Sequence, residues 1–282
     1  MTARSFALLV AVLALVGVSR SAGAQQTKNE LPHELEGIGI DDRRGAQLPG
    51  DVRLRDQEGQ SIRLSSYFDG ERPTLLVLAY YRCPMLCTLV LNQLQKGLSG
   101  LAWTAGKDLR VVTVSIDPRD TPADAKAKRA KYVEAYGRDP GPHGWDFLVG
   151  DEAEVKRLAD AVGFHYRWDA ETEQYAHAAG LFVVSPGGRL TQTLYGLEFA
   201  PRTLRLALTD ASQGKLGTPL DRVLLFCYHY DAARQGYVVA RARIAMIVGC
   251  LVSLFAFAGW LASLWRAEAS RRTVRPHEAP SS

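Results

Sequence analysis

The sequence predicts an α/β fold, with a mixed β-sheet flanked by helices and one C-terminal transmembrane helix. Three observations carry this. Apolar, β-rich runs alternate with segments of helical spacing between Pro73 and Val162, the pattern of strand–helix units packed in layers. A hairpin and a last helix close the pattern at residues 181–212. Much later, Ile244 to Trp265 runs for 22 residues without a charge, enough at about 1.5 Å per residue to cross a hydrocarbon core of about 30 Å.

At the N-terminus, Arg4 precedes the apolar run Phe6–Val18 and then Ala22-Gly23-Ala24. This reads as a secretory signal, residues 1–24, because the run is short for a span. Gln25 to Pro49 is polar and without sustained periodicity, so residues 25–47 are expected to be a linker and residues 48–213 the folded domain. From Asp51, alternation around Gln57-Glu58-Gly59-Gln60 predicts a β-hairpin. Pro73–Tyr81 reads as a buried strand, Pro84–Leu98 as a helix with its apolar spacing at Leu86, Leu89, Val90, Leu94 and Leu98, and Leu109–Ile116 as a second strand rich in β-branched residues. Thr121 and Pro122 supply an N-cap and a first helical residue for a helix to about Tyr136.

Arg138–Gly144 is a loop, Trp145–Val149 a strand, Asp151–Val162 a helix beginning near an Asp151 cap, and Phe164–Trp168 a short extra strand. Leu181–Ser185 and Leu190–Tyr195 form the closing hairpin around Pro186-Gly187-Gly188. A final helix spans about Pro201–Ser212. Residues 214–243 are a juxtamembrane segment, 244–265 the membrane helix, and 266–282 a cytoplasmic tail. Flanking arginines and the terminal Trp260 and Trp265 favour a span over a buried helix. Arg266, Arg271, Arg272 and Arg275 after it slightly outnumber Arg234, Arg241 and Arg243 before it, an inside bias for the tail.

Composition narrows the function. A net charge of +4 over 282 residues, with both signs interspersed, carries no nucleic-acid footprint. The cluster Lys126, Lys128, Arg129 and Lys131 falls on a helical pattern and reads as a solvated face. Export would place the domain in an oxidising compartment, where reduced thiols need a dedicated reductant or a bound metal.

The chemistry concentrates in Tyr80-Tyr81-Arg82-Cys83-Pro84-Met85-Leu86-Cys87-Thr88, where a strand hands over to a helix. Cys83 is placed near the N-cap, Pro84 in the first turn, and Cys87 four residues on, on the same side. Helix-terminal potential and free amide donors favour thiolates there. The pair could clamp a soft metal or close a disulfide, since four helical residues rise roughly 6 Å. Cu(I) favours thiolate sulfur, and an imidazole can complete a three-coordinate site. Arg82 is a candidate positive neighbour. Met85 reads as packing at the site mouth, with a thioether ligand as the sharper reading, and Asp117-Pro118 as a turn that could orient ligands.

Three motifs in order, YYRCPMLC at 80–87, VVTVSIDPRDTP at 111–122 and YAHAAGLFVVSPGGRL at 175–190, resemble the Sco/SenC family. The resemblance covers roughly Leu48–Gln213 and implies a thioredoxin-like, copper-binding protein that supports assembly of the copper centre of cytochrome c oxidase. It implies Cys83, Cys87 and His177 as the copper ligands, with His177 just before the strand Leu181–Ser185. The other histidines fall in the tails (His33, His277), a loop (His143), a helix-to-strand passage (His165) and the pre-span segment (His229). Implied partners are the copper-bearing oxidase subunit, a periplasmic thiol reductant and membrane lipid around the C-terminal helix, with the domain on the periplasmic side of a bacterial inner membrane.

The alternative is an enzyme, a thiol–disulfide oxidoreductase using Cys83 and Cys87 as its redox pair. Against it, the spacing is one residue longer than C-x-x-C, and no proline stands near Ala179-Gly180. A copper sensor or buffer would use the same ligands without a recipient. Cys227 and His229 would share one face of an extended segment. Packing on the domain or at headgroups is the plainer expectation there, an auxiliary copper-transfer site the sharper one.

Overall fold

The structure, a computed structural model, describes residues 37–83, 86–213, 228–231, 236–239 and 241–273. The expected signal segment, His33, Pro84, Met85, Cys227 and His277 lie outside them. In chain order the strands are β1 (Gly39–Ile40), β2 (Arg53–Arg55), β3 (Ser61–Arg63), β4 (Thr74–Ala79), β5 (Arg110–Ser115), β6 (Trp145–Leu148), β7 (Phe164–Asp169), β8 (Gln174–His177), β9 (Gly180–Val184), β10 (Leu190–Tyr195), β11 (Tyr228–Asp231) and β12 (Gly236–Val239). The α-helices are α1 (Leu86–Ser99), α2 (Pro122–Tyr136), α3 (Glu152–Val162), α4 (Pro201–Ala211) and α5 (Arg241–Thr273).

The core sheet has the order β10-β9-β4-β5-β6. β4, β5 and β6 run parallel, while β9 is antiparallel to both β4 and β10. Every residue of β4 is buried, which explains its continuous apolar run: a central strand covered on both faces has no polar side to alternate with. Pairing of β4 with β9 spans only Thr74–Leu76 against Val184–Phe182. Beyond Leu76, β4 continues beside β5 alone and leads to the thiols.

Helix α1 lies against α2 and α4, α4 against β9 and β10, and α2 against β6. The helix-flanked mixed sheet is the thioredoxin-like architecture expected. On α1 the buried stripe is Cys87, Val90, Leu91, Leu94 and Leu98, whereas Leu89, expected on the apolar side, is 47% exposed. Glycine lets α1 approach the start of α4: a Cβ at Gly97 would overlap the Phe199 carbonyl and the Leu204 side chain. Thr121 caps α2 as expected, in a capping box closed reciprocally by Asp124.

The β2–β3 hairpin forms as predicted, with Gly59 at φ +80° in its turn. Part of the stretch expected as a linker is folded: β1 pairs antiparallel with β7, which pairs in turn with β8. A two-residue strand carries no readable alternation, so its partner's position, not local pattern, decides it. β11 and β12 pair with each other, and His229 lies on β11. Within α5, Val248–Arg266 is long and apolar enough to cross a membrane, with a mean hydropathy of 1.8 and none of that window buried.

Candidate metal centre

The site forms where β4 ends. Tyr80, Tyr81 and Cys83 follow the strand as a buried turn, and Cys87 sits in the first turn of α1. Each sulfur receives a backbone donor: Cys87 N–H donates to Cys83 Sγ at 3.3 Å, and Tyr80 N–H to Cys87 Sγ at 3.5 Å. Both thiols are free. Cys83 is 6% exposed, Cys87 0% and His177 8%, so the group is nearly closed to water.

His177 ends β8, a strand of its own, rather than merely preceding the closing hairpin. Its Nδ1–H donates to the Ala178 carbonyl at 2.9 Å. A carbonyl can only accept, so the neutral ring keeps its lone pair on Nε2. That Nε2 stands 3.2 Å from Cys87 Sγ. Tyr80 meets the imidazole edge-on at 6.1 Å between centroids, and Phe164 lies 5.7 Å away on another side. The ring is thus fixed in tautomer and in orientation.

The two thiols are electrostatically unlike. The Cys87 thiol donates to Cys83 and, against the cost of burial, holds Cys83 toward thiolate, helped by the Cys87 amide and Tyr80. The same donation, together with burial, pushes Cys87 up. Burial also raises Tyr80, and its hydroxyl interacts with Cys83. Two unlike sulfurs and the His177 ring therefore share one buried cluster, with Cys83 the more acidic thiol. Among the described residues no group of three or more His, Cys, Asp or Glu side chains stands as a finished metal cage. The ligand candidates touch one another instead. With bond lengths like those of thiolate and imidazole at zinc, a trigonal site would hold sulfur and nitrogen about 3.7 Å apart, so the 3.2 Å contact needs to open only slightly.

Sequence reasoning missed Asp120. Its carboxylate is fully buried, and Oδ2 accepts from Tyr81 N–H at 2.7 Å and Ser115 Oγ–H at 2.6 Å. Its Oδ1 has no hydrogen-bond donor among the described residues and faces Arg82 Nε at 3.3 Å, close enough for ionic attraction but outside hydrogen-bond geometry. Desolvation raises this carboxyl. Asp120 thus anchors the turn two residues before Cys83. Its signal was present in DPRDTP, an acidic residue directly before a Thr-Pro helix start. Arg82 is exposed and bonded to the Arg119 carbonyl and to Asp124, so it braces the turn from outside.

His143 and His165 are engaged elsewhere. His143 Nδ1 is 2.8 Å from Asp146 Oδ2, before the start of β6 and at the opposite end of the parallel strands from the thiols. His165 Nε2 is 3.0 Å from Asp41 Oδ2. Asp117 is more than a turn residue, since its buried carboxylate takes both Nε and Nη2 of Arg119 at 2.8 Å.

The sequence model of the family described as SCO1/SenC matches residues 40–210. A comparison with curated proteins finds no match. Among solved structures, a candidate electron transfer protein of Aquifex aeolicus is 27% identical over 60% of this chain and 95% of its own, with a TM-score of 0.53. Arabidopsis thaliana ScoI with copper bound is 20% identical over 59% of this chain and 98% of its own, at 0.48. BsSco, described as a member of the Sco family of cytochrome c oxidase assembly proteins with a disulfide switch, is 22% identical over 64% and 99%, at 0.44. The matched span contains both thiols, His177 and the whole five-stranded core sheet, and the chain belongs to the SCO1/SenC family.

Proposed function

We propose that this protein is a membrane-tethered copper metallochaperone. It binds a copper ion through Cys83, Cys87 and His177 and passes it to the copper-bearing subunit of a cytochrome c oxidase. The observation that carries this reading is the contact of two free, buried thiols with an imidazole whose Nε2 lone pair faces them. Two sulfurs and one nitrogen form a soft donor set suited to Cu(I), and family membership agrees with it. The copper is cargo. It leaves when the recipient's ligands displace these three one at a time.

In this reading the signal segment exports the domain to the periplasm of a bacterium, and the apolar part of α5 anchors it in the inner membrane's lipid. Delivery needs both cysteines reduced, which assigns a periplasmic thiol reductant as a second partner. The unlike thiols favour one competing role, that of a thiol–disulfide reductase with Cys83 attacking and Cys87 resolving.

His177→Ala separates the two. It removes a ligand yet leaves both thiols able to exchange disulfides. Cells carrying this variant as their sole copy, at limiting copper, should lose most of the oxidase copper centre, as should cells from which the gene is deleted. Full oxidase assembly in those cells would reject delivery and favour the reductase.

A further inference from the structure

The three candidate ligands ride on different parts of the fold. Cys83 and Cys87 belong to the end of β4 and the start of α1, in the core sheet layer. His177 belongs to β8, whose sheet is β1-β7-β8 and does not include β4. Something must hold this arm against the thiol turn.

The arm presents an aromatic face. Across the β7–β8 pair, Tyr166 stands opposite His177 and Trp168 opposite Tyr175, and the Trp168 and Tyr175 rings meet at 5.0 Å. Tyr175 in turn packs on Tyr80 at 5.6 Å. At the outer end of this face, the Arg119 guanidinium lies 4.4 Å from the Trp168 ring centroid. Arg119 is braced by the bidentate Asp117 carboxylate, itself buried. One residue further, Asp120 takes the Tyr81 amide of the thiol turn.

We propose that the loop Asp117–Asp120 is a clasp between the two halves of the site. Asp120 grips the thiol turn, and Arg119, aimed by Asp117, grips the His177 arm through Trp168. Arg119 and Trp168 are positioning residues: they set how firmly His177 reaches the ion that the thiols hold. This inference rests on the copper reading above. The bidentate carboxylate matters because it fixes the plane of the guanidinium, which a flexible exposed arginine could not hold over a ring.

The test uses the chain purified in detergent, with two variants, Trp168→Leu and Arg119→Gln. The first leaves the Asp117 neighbourhood intact should the second perturb folding. Each should lower Cu(I) affinity about two- to fivefold, the factor an exposed cation–π contact carries. In a His177→Ala background neither should lower it further, because the clasp acts through that ligand alone. In the metal-free protein, amide exchange over Arg167–Asp169 and Gln174–His177 should quicken by a similar factor, with β4 and β5 unchanged. An equal affinity loss with and without His177, or arm exchange unchanged in both variants, would overturn the clasp. Failure of the unmutated chain to bind copper would instead reject the metal reading, with arm exchange still deciding whether the clasp exists.

Discussion

His177 Nε2 stands 3.2 Å from Cys87 Sγ while the opposite ring nitrogen donates to Ala178. This relationship fixes where the lone pair points, while the hydrogen bond to Cys83 and burial leave Cys87 the more enclosed, more proton-retaining sulfur. Cys83, held toward thiolate by Cys87 and by a helix-start amide, is the less completely buried of the two. In the reduced, metal-free chain, iodoacetamide should therefore label Cys83 first, with Cys87 protected until the turn opens. Peptide mapping of the half-modified protein checks this. Preferential labelling of Cys87 would invert the assignment.

Asp117 and Asp120 should answer to pH in opposite directions. Burial pushes Asp117 up, but the Arg119 side-chain and amide hydrogen bonds outweigh it, leaving the carboxyl below the ordinary 3.8. A depressed carboxyl adds stability above its unfolded value and loses it as pH falls through the folded one. The stability from the Asp117–Arg119 pair should accordingly be complete above the ordinary 3.8 and be lost progressively as pH falls below it. Asp120 is raised, chiefly by desolvation, so its favourable contribution lies at low pH and disappears as pH rises through its folded value. Urea unfolding of Asp117→Asn and Asp120→Asn against the unmodified chain, from pH 3 to 7, reads both slopes. The Asp117→Asn deficit should grow with rising pH, and the stability of Asp120→Asn relative to the unmodified chain should improve with it. Parallel slopes would contradict the assignment.

Thr121→Ala should cost about 1 kcal/mol by removing a cap that bonds the Asp124 amide. Gly97→Ala should cost about 1–3 kcal/mol by driving a methyl into the Phe199 carbonyl. Denaturant midpoints measure both. A neutral Gly97→Ala would mean that α1 and α4 can separate more easily than their packing indicates.

Helix α5 should keep the chain in the membrane fraction through an alkaline carbonate wash, because its apolar window has no protein covering it. Release into the soluble fraction would contradict a spanning helix.

How far this was legible in the sequence depends on range. The β4-to-α1 junction is local: a buried apolar strand, a thiol at its end and a helical stripe all lie within residues 73–98. The cap at Thr121 and the turn at Gly59 are equally local, and both formed where read. His177 was found through a family motif, whereas its strand was not foreseen, because β8 is defined by pairing with β7 rather than by its own alternation. Leu89 was misplaced because Leu86, Leu89 and Val90 offer two overlapping helical stripes, and only the packed neighbours choose between them. Asp120 and the Arg119–Trp168 contact escaped for the same reason: each joins residues 39 or 49 positions apart, and no periodicity reports such a distance.

The central claim is that Cys83, Cys87 and His177 hold one copper ion. Titrating Cu(I) against a competing chelator into the reduced chain in detergent tests it most directly. The expected result is one tightly bound ion per chain, with binding abolished in Cys83→Ser and in Cys87→Ser, and affinity lowered at least roughly tenfold in His177→Ala. Unchanged stoichiometry and affinity in all three variants would contradict it.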